Sequence, residues 1–187
     1  MNSVNLIDIA PDFYAFLCQK NNRNELVISA HGWQNKIRRN GELINAQQLD
    51  RIINAWRVSY HTLIVASCSS TYLPSSGLFN RLGHDASEIY KETLGCELSR
   101  YKPGVIVRSF IGEVHSSVDN PHAWGLYNSL GKDGLEFMIG QLFHIKYDAT
   151  VSGNIHNPCR YVEFQDGKPV NQKFPTTVIN NRRFGHL

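Results

Sequence analysis

Two short apolar runs constrain this chain more than any other feature. Glu25 to Ala30 (ELVISA) and Thr62 to Ala66 (TLIVA) both have the pattern of strands buried on two faces. Between them lie a hairpin signal and an amphipathic helix. Asn40-Gly41, inside Ile37 to Ile44, is the strongest short hairpin signature. Asn45 is placed to cap a helix with Gln48 as its capping-box partner, and Leu49, Ile52, Ile53 and Trp56 follow on one helical face. Strand, crossover helix and strand make a parallel βαβ unit, whose connection is long enough to be right-handed. Both strands then end at one edge of the sheet, where α/β folds place ligands.

The rest of the chain extends the alternation. Ser69 to Gly83 is rich in Ser, Gly and Pro and reads as a loop. A second helix is expected from Asp85, with Glu88 as capping partner, Ala86, Ile89, Tyr90 and Leu94 as its apolar face, and Gly95 as its stop. Gly104 to Ile111 (GVIVRSFI) is a third strand, and Val4 to Ile9 an additional early one. Gly112 to Gly134 is long and polar and reads as a loop, functional or mobile. Leu135 to Phe143 is read as a helix and Ile145 to Val151 as a strand. Arg160 to Phe164 and Pro169 to Phe174 flank Asp166-Gly167 as a C-terminal β-hairpin, and from Pro175 the chain reads as a tail. The predicted fold class is α/β, in three layers, with a mostly parallel sheet flanked by helices.

Each of the two apolar runs ends on a residue with chemistry. The first leads into His31-Gly32 and the second into Ser67-Cys68. A thiol becomes a nucleophile when a base stands within reach to take its proton, and rigid strand ends are suitable supports for such a pair. Either residue alone reads as structural: a lone strand-end His, or a Cys packed as a small hydrophobe. Together, on consecutive parallel strands, they point to a Cys-His dyad. Gly32 leaves its backbone N–H open, and with the Cys68 N–H it is a candidate oxyanion hole.

The remaining cysteines, Cys18, Cys96 and Cys159, are far apart and form no C-x-x-C pair, which argues against zinc-ribbon and thioredoxin-like readings. Cys18 and Cys96 read as buried hydrophobes, Cys96 just after a helix end. The histidines show no H-E-x-x-H or close H-x-H spacing, so no metal site and no cofactor are expected. A net charge of +3 and no recognisable nucleic-acid motif argue against nucleic acid as a partner. The basic clusters Lys36, Arg38, Arg39 and Arg182, Arg183 read as solvated faces. No apolar stretch reaches membrane-spanning length, and the first residues, with Asp8 and Asp12 and no basic region, do not read as a secretory signal. The 187 residues fit one domain, residues 1–187, that needs no disulfides, so a reduced, cytoplasmic setting is the expected one.

The texts Leu26-Val-Ile-Ser-Ala-His-Gly32 and Leu63-Ile-Val-Ala-Ser-Cys-Ser-Ser70 resemble the caspase-like cysteine peptidases. Within that group they look most like the autoprocessing cysteine protease domains of large bacterial toxins. The resemblance covers about residues 25 to 112. It implies a caspase-like fold and a cysteine endopeptidase acting on a protein or peptide, as a bacterial effector, toxin or autoprocessing protease. Delivery into a host or target cell is then the alternative to a cytoplasmic location. By resemblance His31 is the catalytic base and Cys68 the nucleophile. Trp33, Ser109, Glu113 and His115 are the implied substrate-binding residues, with Val107 to His115 and Trp124 along the cleft. The chain departs from the caspases around the cysteine, with Ser67 before it and Ser69-Ser70 after it in place of Gln and Arg-Gly, so cleavage after Asp is not implied. The toxin domains are switched on by inositol hexakisphosphate at a dense basic patch. This chain has few clustered lysines, so that cofactor is not carried over.

Two other readings compete. A serine hydrolase of the α/β-hydrolase type needs a G-x-S-x-G elbow, and Ser67, Ser69 and Ser70 lack the flanking glycines. A non-catalytic caspase-like interaction module remains the other alternative.

Overall fold

The computed structural model describes residues 3–20, 22–72, 90–110, 113–148 and 161–170. The chain opens with strands β1 (Val4–Ala10), β2 (Phe13–Lys20) and β3 (Arg23–Ala30). Three short strands follow: β4 (Gly32–Trp33), β5 (Lys36–Arg39) and β6 (Glu42–Ile44). Helix α1 (Ala46–Trp56) leads to β7 (Thr62–Ala66), and helix α2 (Leu94–Tyr101) leads to β8 (Ile106–Ser109). Then come β9 (Glu113–Ser116), helix α3 (Asn120–Leu142), β10 (Ile145–Asp148), β11 (Val162–Gln165) and β12 (Lys168–Pro169).

The central sheet has seven strands in the order β1-β2-β3-β7-β8-β11-β12. Its middle is parallel: β3 pairs with β7, and β7 with β8. The flanking pairs β1–β2, β2–β3, β8–β11 and β11–β12 are antiparallel, so the sheet as a whole is mixed. Parallel neighbours need helical crossovers, and α1 and α2 supply them.

Alternate residues of the central strands face opposite layers. Leu26, Ile28, Leu63, Val65 and Val107 pack with Ala46, Leu49 and Ile53 of α1 and Leu94 and Leu98 of α2. Val27, Ile64 and Ala66 pack on the other face with Ala123, Leu135 and Ile139 of α3. The α1 cap is built as its sequence suggests: Asn45 accepts from the Gln48 N–H, and the Gln48 side chain accepts from the Asn45 N–H. Lys102, at the end of α2, reaches Asp50 of α1 at 2.7 Å and also Asn54, which ties the two helices together.

Three sequence expectations are corrected. Within the expected polar loop, residues 113–116 are a strand and residues 120–134 are helical; they are the first part of α3, whose second part is the helix expected from Leu135. Asp119 caps α3 by accepting from the His122 N–H at 2.8 Å, and Pro121 sits in its first turn, where a missing N–H costs nothing. A backbone break at Gly131, with φ of +72°, interrupts the apolar period and hides the part of the helix before it from pattern reading. Gly95 does not stop a helix. It lies in the first turn of α2, which Thr93 caps, and Cys96 is buried inside that helix rather than after its end. A Cβ at Gly95 would meet Ser109 Oγ at 2.1 Å, so the glycine serves close packing of helix on sheet. The expected helix from Asp85 lies mostly outside the described residues, as does the expected tail from Pro175. β2 was not anticipated: it has no clean alternation because Phe13 and Ala15 fill one core layer and Tyr14 and Phe16 the other.

Candidate active site

The parallel ladder of β3 and β7 runs from Glu25↔Thr62 to Ser29↔Ala66. The same register carried two residues further puts position 31 opposite position 68. Both chains leave the sheet there and fold into turns that are laced together. Gln34 and Asn35, both with positive φ, make the turn between β4 and β5. The Asn35 N–H donates to the Ser69 carbonyl at 3.0 Å. Its side chain spans the gap again, donating to the Tyr72 carbonyl at 2.9 Å and accepting from the Tyr72 N–H at 2.7 Å. Ser70, fully buried, accepts from the Phe110 N–H at 2.9 Å and donates to the Ser67 carbonyl at 3.0 Å. The cysteine turn is thereby anchored to the end of β8.

Gly32 packs directly on this turn: a Cβ there would fall 2.0 Å from the Cys68 carbonyl oxygen. The hairpin pairing also orients the Gly32 amide. The Arg38 N–H donates to the His31 carbonyl at 2.7 Å, which makes His31 and Arg38 a hydrogen-bonded pair. The next pair, Gly32↔Ile37, is then of the non-bonded kind, and its amides point away from the partner strand. The Cys68 N–H has no backbone acceptor among the described residues.

The Cys68 thiol is half-buried and reduced. Its sulfur accepts from the Val114 N–H at 3.3 Å and donates to the Val114 carbonyl at 3.5 Å. The His31 side chain is exposed, and no hydrogen bond joins it to the sulfur among the described residues. The ladder therefore brings the two residues to one edge, while the resting thiol lies on the backbone of β9.

The other expected site residues fall in three places. Trp33 is 62% exposed and lines a cleft of about 440 Å³ with His31, Gly32, Arg38 and Leu43. Glu113 and His115 flank Val114 on β9, and the His115 ring lies 3.7 Å from the Glu113 carboxylate. Ser109 is fully buried and its hydroxyl bonds to Thr71, so it supports the cysteine turn from below and does not line the cleft. Trp124, on α3, stacks on Tyr127. Sequence reasoning missed Asn35 and Leu43, read Arg38 as part of a solvated face, and reached Val114 only within the range Val107 to His115. Asn35 had a signal, since a polar pair ending in Asn between two short strands suits positive φ. Val114 acts through its backbone and carries none.

Among the described residues no three His, Cys, Asp or Glu side chains gather as a metal site, and no helix is long and apolar enough to cross a membrane. Comparison with protein-family models, with curated proteins and with solved structures returns no match.

Proposed function

We propose that this chain is a cysteine peptidase that hydrolyses a peptide bond through Cys68 and His31. The observation that supports the reading is the β3–β7 register, which, carried two residues on, sets position 31 opposite position 68 at the end of a parallel strand pair. The sulfur first leaves Val114 by rotating about its Cα–Cβ bond. It then attacks the substrate carbonyl carbon while its proton passes to the His31 imidazole. The carbonyl oxygen becomes an oxyanion beside the Gly32 and Cys68 N–H groups. Collapse of this intermediate breaks the C–N bond, and the amine leaves with the proton from His31. Water, activated by the same imidazole, hydrolyses the thioester and restores the thiol.

The bonds from Cys68 to Val114 favour a second reading, a caspase-like binding module whose thiol is locked. One experiment separates the two. An electrophilic thiol probe modifies Cys68 faster than half-buried Cys18 or fully buried Cys96 if the dyad is live. Cys68→Ala then abolishes hydrolysis of a peptide library without loss of fold, because the volume change is small. Full hydrolysis by Cys68→Ala, with Cys18→Ala as control, removes the peptidase reading. Unreactive Cys68 with no hydrolysis selects the module.

A further inference from the structure

The small sheet β4–β5–β6 has two unlike faces. Ile37 and Ile44, paired across β5 and β6, are buried in the core. Arg39 shares their side of β5: it pairs with Asp8 at 2.9 Å and lies over the Phe13 ring. The other face carries a row that crosses all three strands. His31 is bonded to Arg38 through the backbone, and Arg38 is the register partner of Leu43. Trp33 is paired with Lys36 on the same face. Trp33 and Leu43 are 62% and 44% exposed and both line the same cleft. Among the described residues neither Lys36 nor Arg38 has an ion-pair partner, although Arg39 beside them does. Of this basic cluster, then, one cation is structural and two are unpaired. Arg38 is the cation that lines the cleft.

We infer that this cleft is the subsite for the amine half of the substrate, and that Arg38 selects an acidic side chain there. The inference rests on the peptidase reading and gives it a specificity. After attack the acyl half stays on Cys68, and the amine half departs with the proton from His31. The cleft is walled by His31 and not by Cys68, so it borders the departing half. Trp33 and Leu43 supply apolar walls for the stem of a side chain. Arg38 supplies a planar fork suited to a carboxylate. Its volume, about 440 Å³, is in the range of small-ligand sites and accommodates one or two residues. The +3 net charge of the chain reinforces the preference at long range.

Two measurements test this separately from the peptidase reading. In the first, full-length Cys68→Ala, which holds peptide without turnover, is titrated with fluorescent peptide pools that begin with Asp or Glu, or with Asn or Gln. The acid-led pool binds about five- to tenfold tighter at low salt, the preference shrinks as salt rises, and adding Arg38→Gln erases it, whereas Lys36→Gln leaves most of it. In the second, wild type digests a degenerate library and the new N-termini are sequenced. Asp and Glu are enriched there, and Arg38→Glu shifts the enrichment to Lys and Arg. Equal binding of the two pools, or binding of neither, overturns the subsite. Acid-selective binding without any cleavage by wild type overturns the peptidase reading and leaves an acidic-peptide site.

Discussion

Gly32→Ala is the sharpest test of how the candidate site is built. An alanine Cβ would lie 2.0 Å from the Cys68 carbonyl oxygen and 2.2 Å from Ser67 Oγ. The serine hydroxyl can rotate away. The carbonyl cannot, because it is backbone directly after β7, and Ser70 and Asn35 hold the same turn on either side. Ordinary contact therefore requires the two strand ends to part by more than about 1 Å. The φ of Gly32 does not lie in the left-handed region, so alanine suits its backbone and the whole cost is steric. Overpacking of this kind costs about 1–3 kcal/mol. For a domain of this size that lowers Tm by about 2–12 °C. If the chain is the proposed peptidase, a displacement of about 1 Å between His31 and Cys68 lowers hydrolysis about 100-fold. The assay is a thermal melt by circular dichroism beside the rate of peptide hydrolysis, with Gly41→Ala as control. Gly41 has φ of +82° and open space around it, so its variant loses about 1–2 kcal/mol through backbone strain while the site stays intact. If Gly32→Ala keeps the wild-type Tm and rate, the strand ends are not packed as described and the reasoning fails.

Two further outcomes are expected. His31→Ala slows iodoacetamide labelling of Cys68 at neutral pH and lowers hydrolysis about 100-fold or more, whereas His115→Ala changes neither, its exposed ring pairing with Glu113; the reverse result means that the base is His115 on β9. Tyr14 is fully buried, donates to the Val118 carbonyl at 2.5 Å, and burial pushes its hydroxyl up to about 12. The unfolded chain ionises Tyr14 near pH 10, so its contribution is intact below that value and is lost as pH rises toward 12, a drop of roughly 2–3 kcal/mol. Urea denaturation at stepped pH should show this decline in wild type and a smaller one in Tyr14→Phe, which itself loses about 1 kcal/mol at neutral pH; identical declines would mean that Tyr14 is not the group responsible.

Local chemistry is most legible where one segment satisfies its own needs. The turn at Asn40-Gly41, the capping box of Asn45 and Gln48, and β7 at Thr62–Ala66 all stand where the sequence puts them. Each is decided by neighbours within a few residues. β2 and the first half of α3 were not legible in this way. In β2 both faces are buried, so no alternation marks it, and α3 carries a glycine break that resets its apolar period. α3 is held by contacts distant in sequence: the Leu6 N–H donates to Glu136 at 2.6 Å, Ser29 donates to Asn120 at 3.1 Å, and Asn120 donates to the Asp12 carbonyl at 3.0 Å.

The sequence by itself determined that two buried strands end in His31-Gly32 and Ser67-Cys68 with a crossover helix between them. Pattern, caps and turn residues are local, and parallel pairing of such strands follows from the crossover. Only the tertiary structure decided where the thiol rests and what surrounds the histidine. Val114 reaches Cys68 across 46 residues of chain, and it does so through backbone atoms, which every residue type presents alike. Arg38 and Arg39 are adjacent and identical in chemistry, yet one is paired with Asp8 and the other lines the cleft. The pleat turns neighbours to opposite faces, and the face that Arg39 shares with buried Ile37 is the one that meets Asp8 and the Phe13 ring.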